Sequence, residues 1–347
     1  MIIVLSLAAA LWAIGWANST SRNTPAAMVA VLMVAVIAMH LILPDGHPLR
    51  QNTGQEAAPW IFIIVTGFVI WGYSTLLSRI RSRAQGSEDR LTEQPAHFGP
   101  FSDTELDRYA RHIVLREIGG AGQKALKDAS VLVIGAGGLG APALQYLAAA
   151  GVGTIGVIDD DVVENSNLQR QVIHTFARIG MAKVQSGAEA MIALNPNINV
   201  RPYQRRLTVE IASDLIADYD LVLDGTDNFD TRYLVNAACA KAGVPLISAA
   251  LTQWEGQISL YDPANGTPCY QCIFPQRPDP SLAPSCAEGG VLGPLPGVLG
   301  AMMAVEAVKT ITGAGEGLRG RLLIYDALYA ETHIIVAKPR ADCPICG

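Results

Sequence analysis

The first 83 residues contain three long apolar runs, whereas the rest of the chain alternates short apolar and polar stretches. Residues 1–21, 26–43 and 60–77 hold no charged side chain, and each run is close to the ~20 apolar residues that a helix needs to cross a bilayer. A buried core helix would explain one such run. Three of them, joined by polar loops, predict three transmembrane helices at about residues 1–17, 26–43 and 60–77.

Basic residues indicate how these predicted helices are oriented. Arg22 lies between the first two, and Arg79, Arg81 and Arg83 follow the third; Lys and Arg favour the cytoplasmic side of a membrane. The first run could instead be a signal peptide, but no basic residue precedes it, so we expect a retained helix. The sequence thus predicts a multi-pass membrane protein with a cytoplasmic C-terminal part and an outward N-terminus.

Residues 84–100 are polar, with glycine and proline, and are typical of a linker between the membrane region, 1–83, and a domain, 101–347. The domain opens with a capping box of Ser102 and Glu105, in front of a helical pattern that runs to Ile118. Short apolar strands then alternate with helical stretches, which predicts a parallel sheet covered on both faces. The predicted strands are 131–134, 154–158, 199–201, 221–223 and 246–249, and the predicted helices are 139–150, 181–194 and 229–242.

The pattern changes after Gln257. Three predicted strands, at 258–261, 321–325 and 333–336, are separated by a single predicted helix at 298–311. Strands without regular crossover helices favour antiparallel pairing. The predicted fold class is therefore α/β: a Rossmann-like domain with a mainly parallel sheet and an antiparallel C-terminal extension, preceded by three transmembrane helices.

Composition narrows the range of functions. Half of the residues are hydrophobic and 16% are charged, with a net charge of −6. A negative chain is a poor match for the phosphate backbone, so we expect no nucleic-acid partner. The six cysteines, if cytoplasmic, are better explained as metal ligands or nucleophiles than as disulfides.

A glycine-rich motif follows the first predicted strand of the domain. Gly135 permits a tight turn and Gly137 lets the backbone approach a phosphate. The motif ends at Gly140 inside the predicted helix 139–150, whose N-terminus offers unpaired N–H groups to an anion. Asp159, at the end of the next strand, suits a ribose hydroxyl. This motif indicates a nucleotide, and by itself it would favour an NAD-dependent dehydrogenase.

Three charged residues further along favour a nucleoside triphosphate instead. Arg170 and Lys183 supply cations, and Asp227 ends a later strand; ATP chemistry needs cations for its phosphates and a carboxylate for Mg²⁺. Singly, these residues could be a solvated loop, a surface salt bridge and a helix N-cap. Together beside one glycine-rich loop they make ATP the better prediction, because an NAD oxidoreductase or a non-enzymatic scaffold leaves them without a role.

These motifs (GAGGLG, SNLQRQ, a lysine 13 residues after its arginine, and DGTDN) resemble those of the molybdopterin-synthase adenylyltransferases and their thiamine-pathway relatives. That group shares its fold with the adenylating part of ubiquitin-activating enzymes. The resemblance covers residues 101–347 and leaves the three predicted spans outside it. It implies that the residues that contact ATP are Gly138, Asp159, Ser166, Asn167, Leu168, Gln169, Arg170, Lys183 and Asn228, with Asp227 holding Mg²⁺ and serving as the most critical catalytic residue.

The resemblance also implies a homodimer. In such enzymes an arginine from the partner subunit reaches the phosphates, and Arg111 occupies that position. The sequence alone favours a simpler interpretation, in which Arg111 is a solvated residue on an amphipathic helix. A trans arginine would make the dimer the active unit.

The cysteines form two C-x-x-C pairs, which together can place four thiolates on one ion. One pair alone could be redox-active, but two pairs predict a closed, structural Zn²⁺ site that does not take part in catalysis. Cys286 is left over in a Pro/Gly-rich loop; it could be an idle thiol, whereas the resemblance implies a transient covalent role in some relatives. The predicted zinc ligands are Cys269, Cys272, Cys343 and Cys346.

The resemblance implies that the reaction is adenylation of the C-terminal carboxylate of a small ubiquitin-like sulfur carrier that ends in Gly-Gly. The opening RYARHIVLREIGG and the loop PSCAEGGVLG favour the molybdopterin synthase small subunit, in molybdenum cofactor biosynthesis, over a thiamine-pathway carrier. No rhodanese-like domain follows Gly347, so we expect a separate protein to donate the sulfur.

Overall fold

We describe a computed structural model, which divides into two units, Met1–Ala96 and His97–Gly347. The second unit is described at residues 100–277 and 289–347. The first is described at residues 4, 6–11, 23–44, 46–54, 56, 58–62, 65–67, 69, 72, 73, 75 and 76.

The N-terminal unit contains two helices with assigned bounds, α1 (Asn23–Ile42) and α2 (Pro48–Thr53). Its small buried cluster joins Val4, Met33 and Val36 to Trp60. Although α1 has 20 residues, the apolar stretch that the described residues allow within it is 31–42, and this stretch and the one that begins at Ala58 are each shorter than a membrane span. The three predicted transmembrane helices therefore have no support here, and most of the first one lies outside the described residues.

One described helix is long and apolar enough to cross a membrane, but it belongs to the second unit. This helix, Pro294–Thr312, packs against a neighbouring helix and against the sheet. Leu299, Met303 and Ala307 on it are buried in the core. The length and apolar character of this helix are therefore explained by its place in the hydrophobic core of the domain.

The second unit is built on one eight-stranded sheet with the order β3-β2-β1-β4-β5-β6-β7-β8. The first five strands in this order are parallel, and β6, β7 and β8 are antiparallel. This confirms the predicted Rossmann-like sheet with an antiparallel extension. The strands are β1 (Ser130–Ile134), β2 (Thr154–Ile158), β3 (Asn199–Tyr203), β4 (Leu221–Asp224), β5 (Leu246–Thr252), β6 (Glu255–Tyr261), β7 (Arg321–Asp326) and β8 (Glu331–Val336).

Helices cover both faces of this sheet because successive strand residues point to opposite sides. Val131 and Val133 of β1 face one buried cluster, and Leu132 and Ile134 face the other. The first cluster is completed by α5, α6 and α10, the second by α7 and α8. The helices of this unit are α3 (Asp103–Ile113), α4 (Gly119–Asp128), α5 (Gly140–Ala150), α6 (Lys183–Leu194), α7 (Val209–Ala217), α8 (Phe229–Ala242), α9 (Tyr270–Ile273) and α10 (Pro294–Thr312).

The first helix of the domain is shorter than its hydrophobic pattern predicts. The capping box of Ser102 and Glu105 is present, with the Ser102 N–H donating to Glu105 at 2.8 Å. The helix nevertheless ends at Ile113 rather than Ile118. Gly119 has a positive φ of 60° and begins a new helix, α4, so the chain turns where the prediction continued straight.

Candidate active site

The glycine-rich loop, residues 135–140, joins β1 to α5 at the carboxyl edge of the sheet. Gly135 has a φ of +89°, a conformation that side chains with a Cβ rarely adopt. A Cβ on Gly140 would lie 1.8 Å from the carbonyl oxygen of Gly135. Only glycine permits so close a turn, and the turn aims the first N–H groups of α5 out of the sheet edge, as an anion site requires.

The loop after β4, residues 225–228, lies directly beside the glycine-rich loop; we call it the Asp227 loop. A Cβ on Gly225 would be 3.0 Å from the Gly140 nitrogen. In the sheet order, β1 lies between β2 and β4. The strand order therefore reverses at β1: the chain adds β2 and β3 on one side of it, and then β4 and β5 on the other. Open parallel sheets bind ligands at such switch points.

The Asp227 carboxylate is exposed and, within the described chain, has no hydrogen-bond or ion-pair partner. The N-cap role that could have explained it belongs to Asn228, whose Oδ1 accepts the Thr231 N–H at 2.9 Å. Asp227 is therefore an uncommitted anion at the sheet edge. An exposed carboxylate oxygen is the type of ligand that Mg²⁺ takes in nucleotide sites, so this residue fits the predicted metal role.

Arg170 lies beside the glycine-rich loop. A Cβ on Gly138 would be 3.8 Å from the Arg170 Cδ and 3.1 Å from the Cβ of Pro296. The guanidinium itself donates to the Ser166 carbonyl at 3.1 Å, one turn back along the chain. Gly138 thus faces both a cation and the start of α10, which leaves little room for any side chain at this position.

Two other residues of the SNLQRQ segment contact groups outside it. Asn167 is buried in a short 3₁₀ turn, and its Oδ1 accepts the Glu164 N–H at 3.1 Å. Gln169 lies against Gly293, at the start of α10. Ser166 is exposed and Leu168 partly so. Asn167 and Gln169 therefore shape the segment, and any contact they make with a nucleotide stays a prediction.

Lys183 opens α6 and is almost fully buried, at 6% exposure. Its ammonium pairs with Asp161 at 2.7 Å, and the Asp161 side chain is itself 66% exposed. Asp159 lies near by; its Oδ2 accepts the Ala136 N–H of the glycine-rich loop at 2.8 Å. The structure therefore gathers the predicted cation and the predicted ribose ligand at the same edge as Asp227, with Asp159 already bonded to the loop.

His174 is a residue of this region that the sequence did not point to. It is 5% exposed, and its ring lies 3.0 Å from the Ala136 carbonyl oxygen and 2.9 Å from the Ser186 hydroxyl. Burial lowers its pKa below the usual range. A histidine in an unremarkable stretch carries no motif, so only the tertiary contact reveals it.

Arg111 is exposed on α3, a helix whose contacts are at the opposite ends of α5 and α6 from the glycine-rich loop. Its helix is fixed by Tyr109, which packs on Gly151, and by Arg108, which donates to the Leu194 carbonyl at 2.8 Å. Gly151 and Leu194 are at the C-terminal ends of α5 and α6, whereas the site is at their N-terminal ends. The 11 residues of α5 span about 16 Å.

The four cysteines of the C-x-x-C pairs come together in space. Their sulfurs lie within 4.8 Å of one another, with distances of 3.6 Å for Cys269–Cys343, 3.4 Å for Cys272–Cys346 and 3.9 Å for Cys269–Cys272. Sulfurs on a tetrahedral zinc with bonds of about 2.3 Å are about 3.8 Å apart, so the donor set fits a Cys₄ zinc site. Cys286 lies outside the described residues.

A model of the ThiF family matches residues 109–345. The "SAMP-activating enzyme E1" of Haloferax volcanii is 48% identical over 244 residues, which cover 70% of this chain and 90% of that protein. The "Sulfur carrier protein adenylyltransferase" of Thermus thermophilus is 49% identical over 251 residues, covering 71% and 93%.

Two further relatives are similar to this chain over part of their length or in fold alone. "Adenylyltransferase and sulfurtransferase MOCS3" of Bos taurus is 50% identical over 248 residues, but these are 71% of this chain and only 54% of that longer protein. The crystal structure of E. coli MccB with ATP superposes with a TM-score of 0.60 at 24% identity, over 73% of this chain and 77% of that one, which shows the shared fold alone. With the family model matching most of its length, the chain belongs to the ThiF family and is an adenylyltransferase.

Proposed function

We propose that this enzyme uses ATP to adenylate the C-terminal carboxylate of a small ubiquitin-like sulfur carrier ending in Gly-Gly, most specifically the small subunit of a molybdopterin synthase. The observation that carries the proposal is the free Asp227 carboxylate, set beside the glycine-rich loop while Asn228 takes the helix cap. The names of the relatives from Haloferax volcanii and Thermus thermophilus support the class of substrate.

In the proposed reaction, a carboxylate oxygen of the carrier attacks the α-phosphorus of ATP. The bond from that phosphorus to the bridging oxygen breaks, and pyrophosphate leaves. No side chain is needed as a nucleophile, so the protein accelerates the step by alignment and charge neutralisation. The N–H groups of the glycine-rich loop would bind phosphate oxygens, and Arg170 and Lys183 would offset their charge. Asp227 would hold a magnesium ion, which would supply further positive charge at the phosphates.

Pyrophosphate exchange into ATP tests this function. We expect exchange to depend on a carrier with an intact C-terminus and to disappear when its last two residues are removed. A molybdopterin-type and a thiamine-type carrier should be assayed side by side, since the better substrate identifies the pathway. Exchange with neither carrier, together with binding of NAD in place of ATP, would reject the proposal in favour of an oxidoreductase.

Asp227→Asn separates binding from chemistry. We expect it to keep measurable ATP binding and to lower the exchange rate by at least about a hundredfold, the size seen when one charge-stabilising group is removed from a transition state. Asp230→Asn is the matched control. Asp230 lies three residues after Asp227 and is an exposed ion-pair partner of Arg277. An unchanged rate in Asp227→Asn would remove this residue from the mechanism.

We also propose that the active unit is a homodimer in which Arg111 serves the neighbouring site. The contacts of its helix support this arrangement, because Tyr109 and Arg108 anchor α3 at the ends of α5 and α6 opposite the glycine-rich loop, and α5 is about 16 Å long. A separate protein is proposed to supply the sulfur that displaces the adenylate. If Cys286 forms a covalent intermediate, it does so at that later step.

Residues 1–83 are proposed to hold the domain at the cytoplasmic face of a membrane. The three uncharged runs and the arginines after the third support this. Alkaline phosphatase and green fluorescent protein fused to the C-terminus test it. Fluorescence without phosphatase activity is expected, and active phosphatase with no fluorescence would reverse the orientation.

A further inference from the structure

Beneath the Asp227 loop lies a buried charge that the proposed chemistry does not use. Arg232, in the first turn of α8, is 5% exposed. Its guanidinium donates to the carbonyl oxygen of Thr226 and, at 3.2 Å, to the hydroxyl of Ser248. Burying a guanidinium costs free energy unless an anion balances its charge. The anion that balances Arg232 therefore indicates the role of this residue.

The counter-charge is Asp224, the last residue of β4, which is fully buried. Its carboxylate accepts the Ser248 hydroxyl at 3.1 Å. Ser248 therefore donates its hydrogen to Asp224 and accepts one from Arg232, so the hydroxyl bridges the two charges. The bridge crosses from β4 to β5 and to α8, three elements that meet under the loop.

Both charges also hold Thr226, the residue immediately before Asp227. Asp224 accepts the Thr226 N–H at 3.0 Å and its hydroxyl at 2.7 Å, while Arg232 binds the Thr226 carbonyl. On the other side, the Asn228 side chain caps α8. The backbone is thus fixed before and after Asp227, and the one exposed, uncommitted group between these anchors is the Asp227 carboxylate. Groups held in this way lose little entropy on binding a ligand.

We propose that Arg232 is a positioning residue which, through Ser248 and Asp224, sets the Asp227 carboxylate in place to bind the magnesium ion of ATP. That the ion arrives with ATP rests on the proposed function. A purely structural Arg232 would tie α8 to the sheet and affect stability alone. A positioning Arg232 must in addition change how strongly magnesium favours ATP binding.

Calorimetric titration of ATP into the full-length protein, once in Mg²⁺ and once in EDTA, measures that difference. We expect Mg²⁺ to tighten ATP binding by the wild type, and Asp227→Asn to abolish most of that gain. Arg232→Lys keeps the charge but loses the two-pronged geometry, and Ser248→Ala removes only the bridge. Both should lose at least about fivefold of the magnesium-dependent gain, which is less than the loss of a whole hydrogen bond to a charged group would cause. The affinity in EDTA should change less than about twofold. Arg321→Gln, which breaks an exposed pair with Glu316, is the matched control and should behave as the wild type.

A double variant separates the two roles. If Arg232 acts through Asp227, Arg232→Lys combined with Asp227→Asn loses no more magnesium dependence than Asp227→Asn alone. A further loss in the double variant, an unchanged magnesium gain in folded Arg232→Lys, or no magnesium effect in the wild type would overturn the assignment. Should Arg232→Lys not fold, Ser248→Ala decides. Magnesium-dependent ATP binding without exchange on any carrier would reject the proposed substrate and leave this role for Arg232 intact.

Discussion

The Nε2 atom of His174 lies 3.0 Å from the carbonyl oxygen of Ala136, inside the glycine-rich loop. A carbonyl can only accept, so Nε2 carries a hydrogen, and Nδ1 accepts from the Ser186 hydroxyl at 2.9 Å. Because burial lowers the pKa of His174, the ring is neutral near pH 7. His174 therefore ties the loop to α6, the helix that begins at Lys183.

This contact predicts a pH dependence of stability. Between the lowered pKa of folded His174 and its ordinary value near 6.5, the unfolded chain binds a proton that the folded chain does not. The free energy of unfolding should therefore fall as the pH drops below about 6.5. In His174→Gln we expect a loss of about 1–3 kcal/mol at pH 8 and a flatter decline between about pH 7 and pH 5. Urea denaturation measures both, and His333→Gln, at an exposed histidine, should keep the wild-type profile. An identical slope in His174→Gln would contradict the assignment.

Gly140 should tolerate no side chain. In Gly140→Ala the new Cβ would collide with the Gly135 carbonyl, which must move and distort the glycine-rich turn. We expect ATP affinity to fall at least about tenfold and stability to fall by about 1–3 kcal/mol, the usual cost of overpacking. Gly297→Ala, inside α10 with no atom within 4 Å of its Cβ, should be neutral or stabilising by up to about 1 kcal/mol. Wild-type nucleotide binding in Gly140→Ala would show that the loop relaxes.

The cysteine cluster predicts about one zinc ion per chain. Cys343→Ser should lose most of this zinc and lower the melting temperature by more than about 5 °C, since Cys343 and Cys346 attach the C-terminus to the segment after β6. Mass spectrometry of the metal content checks the first point and thermal denaturation the second. Cys239→Ala changes a buried cysteine outside the cluster and should keep its zinc. A fully folded wild type without zinc would reject the metal site.

Arg111 and Asp227 can be tested in one mixed dimer. Arg111→Ala and Asp227→Asn should each be strongly impaired alone. In a heterodimer of the two variants, one site combines the intact Asp227 of one chain with the intact Arg111 of the other, so up to half of the exchange activity should return. Arg116→Ala, at another exposed arginine near by, should stay active by itself. A verified heterodimer as inactive as its parents would show that Arg111 does not act in trans.

The sheet was predictable because its strands and helices repeat a periodicity that burial imposes. The strand 154–158 and the helix 229–242 were predicted to the residue, since each is bounded by glycine or a capping side chain. The helix Val209–Ala217 was missed: it is short, and its apolar residues can also be read as a strand. The local hydrophobic pattern predicts a helix or a strand reliably only where it fits one of the two periodicities and not the other.

The candidate site was predictable to the extent that motifs carry it. Recognisable sequence motifs contain Gly135–Gly140, Arg170, Lys183 and Asp227, and the fold brings these residues to one edge of the sheet. His174 and Arg232 belong to no such motif. Their importance comes from partners 38 and 16 residues away, Ala136 and Ser248, and sequence distance conceals contacts that the sheet creates.

Helix α8 carries a second buried polar anchor one turn beyond Arg232. Asn236 accepts the Tyr270 N–H at 2.8 Å and donates to the Cys269 sulfur at 3.7 Å. Four residues apart, the two anchors share one face of the helix. A single inserted residue between them would rotate the second by about 100° and release either the cysteine cluster or the loop that precedes the helix. An insertion after Gly243, whose φ of +70° ends the helix, would disturb neither. In the divergence of this chain, α8 should therefore keep its length between Arg232 and Asn236 while the turn behind it is free to grow.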